Sequence, residues 1–150
     1  MLFRAGGERF ALPLASVSEV ATPQPPFARV PRSAEAVRGA MNLRGRVVAV
    51  VDPAPLLGLP PQSLRVGQGQ VLVLDRDRRV LGFLVEGVLG VEAVDAPERP
   101  AEGAPVRGLA TVKGAPVAVL DPDALAREAA RLFGGRPEGE GGGPPTGALP

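Results

Sequence analysis

The chain contains no histidine, cysteine, tryptophan or tyrosine, and each absence removes a class of function. Without histidine, no side chain has an ordinary pKa near neutrality, so the commonest general base is missing. Without cysteine there is no thiolate nucleophile and no soft metal ligand. A zinc or iron–sulfur site would then rest on carboxylates alone, which those metals disfavour. Catalysis by carboxylates stays open. The missing cysteines also argue against a disulfide-stapled secreted scaffold and fit a reducing cytoplasm. Met1-Leu2-Phe3-Arg4 runs straight into Gly6-Gly7 without the basic region and apolar run of a signal peptide. No stretch reaches the ~18 uninterrupted apolar residues of a spanning helix. The expectation is a cytoplasmic chain with no direct membrane insertion. Aromatics make up 3%, all phenylalanine, and the net charge is +1. Both argue against a nucleic-acid partner, which would favour stacking rings and a basic field.

What is present reads as β structure. Hydrophobic residues make up 45% of the 150 positions and charged residues 22%, ordinary for one globular unit or two small barrels sharing an interface. Leu2–Arg4 and Arg9–Leu14 form a hairpin across Gly6-Gly7. Val17 and Val20, three apart, suggest one helical turn with an apolar side. Pro23, Pro25, Pro26 and Pro31 make 22–32 an extended connection. Further strands are predicted at Gln70–Asp75, Arg79–Val85, Val88–Val94, Val106–Val112 and Pro116–Leu120, with Arg76-Asp77-Arg78 as a turn. Asp121 can cap a helix with Pro122 in its first turn and Leu125, Ala129 and Leu132 as its buried stripe. The Gly/Pro-rich stretch 134–150 reads as a disordered tail.

A repeat organises these pieces. Val37-Arg38-Gly39 recurs 69 positions on as Val106-Arg107-Gly108, and the same shift carries Gly45 to Gly114. It also carries Val48-Ala49-Val50 to Val117-Ala118-Val119, Asp52-Pro53 to Asp121-Pro122, and Leu56 to Leu125. Two similar units are implied, each too small to leave sheet edges bare. Each should therefore close into a barrel and pack on the other, with strands or the final helix crossing between them. Asp52 and Asp121 read as paired caps before their prolines. The copies differ in chemistry. The first offers Arg38, Arg44 and Arg46 around an apolar hairpin, where the second has Lys113, the chain's one lysine beside sixteen arginines. An arginine on a rigid hairpin is a plausible interface anchor, although a solvated turn arginine is the commoner fate of such a residue.

The run Val37-Arg38-Gly39-Ala40-Met41-Asn42-Leu43-Arg44-Gly45-Arg46, continued by Val47–Asp52, closely resembles the G-x-x-N-L-R-G signature of CheW-like chemotaxis adaptor domains. Phe3–Leu14 looks like that family's opening hairpin, Val17-Ser18-Glu19-Val20 like its V-x-E-(V/I), and Leu81–Val88 like its second-half strand. Ala49 replaces the usual strand proline, Glu86 the usual aspartate, and the connection at 59–69 is short.

The resemblance implies an all-β fold of two intertwined five-stranded SH3-like β-barrels with short helical turns and one C-terminal helix. Combined with the repeat, it places a single domain at 1–133, with barrels at about 1–58 and 68–121 and the helix at 122–133. It also implies a non-enzymatic, cofactor-free scaffold between methyl-accepting chemoreceptor cytoplasmic tips and the regulatory domain of a chemotaxis-type histidine kinase. Such a scaffold is cytoplasmic and recruited to membrane-associated receptor arrays. By the same resemblance Arg44 matches the motif's partner-binding arginine, and Asn42 and Gly39 shape its hairpin. Val17, Glu19, Val20, Val88 and Val91 match residues lining a receptor-helix groove. The valines read equally well as core. Other functions remain open at this level: an adaptor of a related motility or pilus kinase array, more remotely a small nucleic-acid-binding barrel, and a carboxylate site using Asp52, Asp75, Asp77 or Asp121.

Overall fold

The computed structural model describes residues 1–76, 78–95 and 104–133. Among the described residues, ten strands and one α-helix follow one another as β1 (Leu2–Ala5), β2 (Glu8–Ala11), β3 (Glu19–Ala21), β4 (Val37–Leu43), β5 (Arg46–Val51), β6 (Gln70–Arg76), β7 (Arg79–Val85), β8 (Gly87–Gly90), β9 (Val106–Val112), β10 (Ala115–Leu120) and α1 (Pro122–Ala130). The repeat is visible in these bounds. Adding 69 to 37–43 and 46–51 gives 106–112 and 115–120, the limits of β9 and β10.

The strands form two five-stranded sheets, ordered β8-β1-β2-β10-β9 and β3-β6-β7-β5-β4. With β1–β5 as one repeat and β6–β10 as the other, both sheets share one plan. A hairpin from one repeat is flanked by the last three strands of the other. The junctions are the parallel pairings of β2 with β10 and of β5 with β7. This exchange corrects the expected boundaries: neither barrel is a consecutive segment at 1–58 or 68–121, because the opening hairpin completes the barrel made by the C-terminal strands. A chain half cannot pair both edges of its own hairpin, so the halves are folded together.

Strand alternation sorts the side chains into three cores. Met41, Val50, Val71, Val73 and Leu84 fill one barrel, and Leu2, Ala11, Val112 and Val117 fill the other. The largest cluster lies between the sheets, where Phe3, Phe10, Leu72, Leu74, Phe83 and Leu120 meet Leu125 and Ala129 of α1. Asp121 caps α1 as expected, its Oδ1 accepting from the Asp123 and Ala124 amides at 2.9 and 3.3 Å. Arg76 clamps the helix start to β6 through Asp123, with Nη2 to Oδ1 at 2.7 Å.

Other expectations change. The helical turn is Leu14–Ser16, not the stretch carrying Val17 and Val20. Val17 follows that turn with extended backbone, and Val20 lies in β3, whose pairing with β6 outweighs a one-turn helix. The strand expected over Val88–Val94 stops at Gly90, where φ is 142° and the register against β1 shifts. Helix α1 stops at Ala130, short of the expected 133. The tail at 134–150 and Asp77 in its turn lie outside the described residues.

Candidate partner-binding site

The β4–β5 hairpin turns through two left-handed residues, Arg44 with φ of 50° and Gly45 with φ of 86°. This geometry matches the twist of the flanking strands and favours glycine in the second position. The Asn42 Oδ1 accepts from the Gly45 amide at 2.8 Å, locking the turn from within. Asn42 is therefore a turn-former, and it leaves Arg44 raised at the tip with 71% of its side chain exposed.

The guanidinium of Arg44 pairs with the Glu19 carboxylate on β3. Strands β3 and β4 are opposite edges of one sheet, so this pair closes the barrel. Between them lies an open concavity of about 420 Å³, lined by Glu19, Val20, Thr22, Gln24, Asn42 and Arg44 among others. The second repeat has its own version. At its hairpin tip Lys113 has φ of 50° and pairs at 3.1 Å with Glu92, which follows edge strand β8. The tip cation bridging to a carboxylate on, or just past, the opposite edge strand is thus shared architecture. The first copy carries a planar arginine fork in place of the lysine, with the concavity beside it.

The remaining expected residues divide. Gly39, assigned to shaping the hairpin, lies at the far end of β4 and acts elsewhere. Its φ is 137°, and a Cβ there would stand 2.6 Å from the Phe27 Cβ and 2.7 Å from the Ala28 carbonyl. It admits the proline-rich connection, which hydrogen-bonds to β4 through Ala28 and Ala40 in both directions at 2.8 Å. Val17 and Val88 are half-buried against the inter-sheet core. Val20 and Val91 are exposed, Val91 at 60%, but the concavity holding Val20 and Arg44 includes neither Val88 nor Val91.

Asp52 proved more than a cap. Only 1% exposed, it accepts from Arg38 Nη2 at 2.9 Å, the Gln62 amide at 2.8 Å, Gln62 Nε2 at 2.7 Å and the Ala54 amide at 2.9 Å. Burial alone pushes its pKa up. The donors from Gln62, Ala54 and Arg38 outweigh that, and the carboxyl is held below its ordinary value. Nothing in the repeat pattern signalled Gln62, which lies in the connection between the copies. Of the other candidate carboxylates that are described, Asp121 is engaged at its helix and Asp75 lies 3.8 Å from Arg46.

Comparison with known proteins agrees with this architecture. The family described as CheW-like domain matches residues 1–130. The chain is 33% identical to Protein PilI of Pseudomonas aeruginosa over 60% of this chain and 49% of that protein. It is 33% identical to the probable chemotaxis protein CheW of Rhizobium etli over 61% of this chain and 58% of that protein. It thus spans about half the length of these two relatives. The chemotaxis protein CheW of Rhizobium meliloti is 29% identical, with 82% of this chain and 83% of that protein covered. The crystal structure of the scaffolding protein TtCheW from Thermoanaerobacter tengcongensis superposes with a TM-score of 0.64, over 80% and 81% of the two chains at 19% identity, which supports the fold. Intertwined barrels, the Asn42-Leu43-Arg44-Gly45 turn and a match across 1–130 together show that the chain belongs to the CheW-like domain family.

Proposed function

We propose that this chain is a non-enzymatic adaptor coupling methyl-accepting chemoreceptor cytoplasmic tips to the regulatory domain of a chemotaxis-type histidine kinase. The observation that carries this reading is the raised Arg44 tip beside an open concavity, on a fold whose buried acidic group is fully engaged. A rigid hairpin holds the guanidinium fork in place before a partner arrives, which lowers the ordering cost of binding. Val20 beside the Arg44 tip and Val91, outside that concavity, are exposed apolar side chains available to an amphipathic receptor helix, whereas Val17 and Val88 are half-buried against the inter-sheet core. Among the described residues no helix is long and apolar enough to cross a membrane. The adaptor acts in the cytoplasm and reaches receptor arrays through its partners. The likeness to Protein PilI supports a second reading, an adaptor of a related motility or pilus kinase array.

Pull-down of the full chain with receptor tips and the kinase regulatory domain from the same genome tests the class. Both are expected to bind at micromolar protein concentration. Failure of both to bind sinks the adaptor reading, and capture of only a pilus-type kinase selects the second one.

A further inference from the structure

We propose that the concavity at the open end of the β3–β7 barrel is a binding site for a small apolar carboxylic acid. It measures about 300 Å³ and is walled by Pro25, Pro26, Phe27, Leu64 and Leu84, with Arg38 and Arg65 as its only charged lining residues among the described residues. That volume lies at the small end of the range for ligand pockets, ~300–1,000 Å³, and the site has their make-up: apolar walls with a few polar groups. It is separate from the partner-binding tip, because Arg38 and Arg44 stand at opposite ends of β4.

Arg38 is held in place before any ligand arrives. Its Nη2 donates to Asp52 Oδ2 and to the Gln62 carbonyl, both at 2.9 Å. Its Nε and Nη1 donate to none of the described residues. A guanidinium has five N–H donors, so this one keeps three N–H groups, on Nε and Nη1, although both of its two-donor edges share the engaged Nη2. Asp52 neutralises Arg38 but accepts four hydrogen bonds and is buried behind it. Arg65 supplies the unbalanced positive charge. The Gln68 Oε1 accepts from its amide at 3.1 Å, and the Gln68 amide donates to its carbonyl at 2.9 Å, which closes the loop at the rim. Its guanidinium pairs with none of the described residues.

The chemistry selects the ligand class. A carboxylate matches the guanidinium fork of Arg65, can accept from the remaining Arg38 donors, and answers the unbalanced charge. The proline, phenylalanine and leucine walls would leave a polyanion such as a sugar phosphate poorly solvated, whereas a ring or branched chain suits them. A macromolecular interface would need roughly 800 Å² per partner, far more than this recess offers.

Titrating the full chain with phenylacetate, followed by amide chemical shifts, tests the site. Saturable shifts confined to Phe27, Arg38 and residues 62–68 are expected, with a Kd on the order of 1 mM or tighter. Phenylacetamide, the same shape without the charge, should bind about tenfold more weakly. Because Arg38→Gln would strand Asp52 and threaten folding, exposed Arg65→Gln is the variant of choice. It should weaken phenylacetate about tenfold with an unchanged melting temperature. The proposal is overturned by an absence of saturable shifts up to about 10 mM. Equal binding of the amide, or unchanged affinity in Arg65→Gln, also overturns it. So does binding only by a peptide that ends in a free phenylalanine carboxylate.

Discussion

Replacing Asp52 with alanine should lower the unfolding free energy by about 3–5 kcal/mol, because it strips the partner from a half-buried guanidinium and orphans three further donors. Arg38 would keep only the Gln62 carbonyl, and the Gln62 side chain would keep the Leu84 carbonyl at 2.8 Å and the Gly6 amide at 3.3 Å. These residues tie β4, the end of β5, the 52–62 connection and β7 to one another. For a domain of this size the loss corresponds to a melting temperature lower by about 10–20 °C, readable by calorimetry. Acid should act through the same carboxyl. Its folded pKa is depressed below the ordinary value of about 3.9, so its stabilisation is fully present above that pH. The stabilisation is lost as pH falls through the folded value. Between about pH 6 and pH 3 the wild-type melting temperature should therefore fall more steeply than that of Asp52→Asn. Equal slopes would show that another group sets the acid limit.

Gly39→Val is the second large effect. Valine would need a φ of 137°, and its Cβ would press within 2.6 Å of Phe27 and 2.7 Å of a backbone carbonyl. Side-chain adjustment cannot relieve the carbonyl contact. Backbone strain and overpacking together put the cost at roughly 3–5 kcal/mol, a large part of the ~5–15 kcal/mol that stabilises a typical domain. Urea denaturation should show the midpoint shift. Gly45→Ala at the open hairpin turn meets no neighbouring atom and should cost less, so a larger loss at Gly45 than at Gly39 would contradict this packing account.

The sequence made the repeated hairpins legible because both copies retain the same short-range signals: alternating valines, a turn glycine and an Asp-Pro stop. Those signals set the limits of β4, β5, β9 and β10. They could not show which hairpin joins which sheet, since the β2–β10 and β5–β7 pairings depend on burial across the whole chain. Val17 and Val20 illustrate the same limit: their helical spacing lost to edge pairing of β3 on β6. At the candidate site, Arg44 and Asn42 stood out because turn chemistry is local. The Glu19 pairing did not, because it bridges two sheet edges distant in sequence. Asp52 looked like a cap since the repeat equates it with Asp121, and only the fold brings Arg38 and Gln62 to it. Arg44 itself changed meaning. Its counterpart Lys113 makes the equivalent contact to Glu92, so part of its role is barrel closure.

That dual role sets the decisive measurement. Arg44→Ala should lose little stability, since an exposed ion pair contributes about 0–1 kcal/mol. Loss of an interface anchor, by contrast, weakens partner affinity about tenfold or more. Titration calorimetry with the kinase regulatory domain, run on wild-type, Arg44→Ala and Lys113→Ala chains of equal melting temperature, separates the two roles. The account predicts that only Arg44→Ala binds at least about tenfold more weakly. Wild-type affinity in Arg44→Ala, or an equal loss in Lys113→Ala, would contradict it.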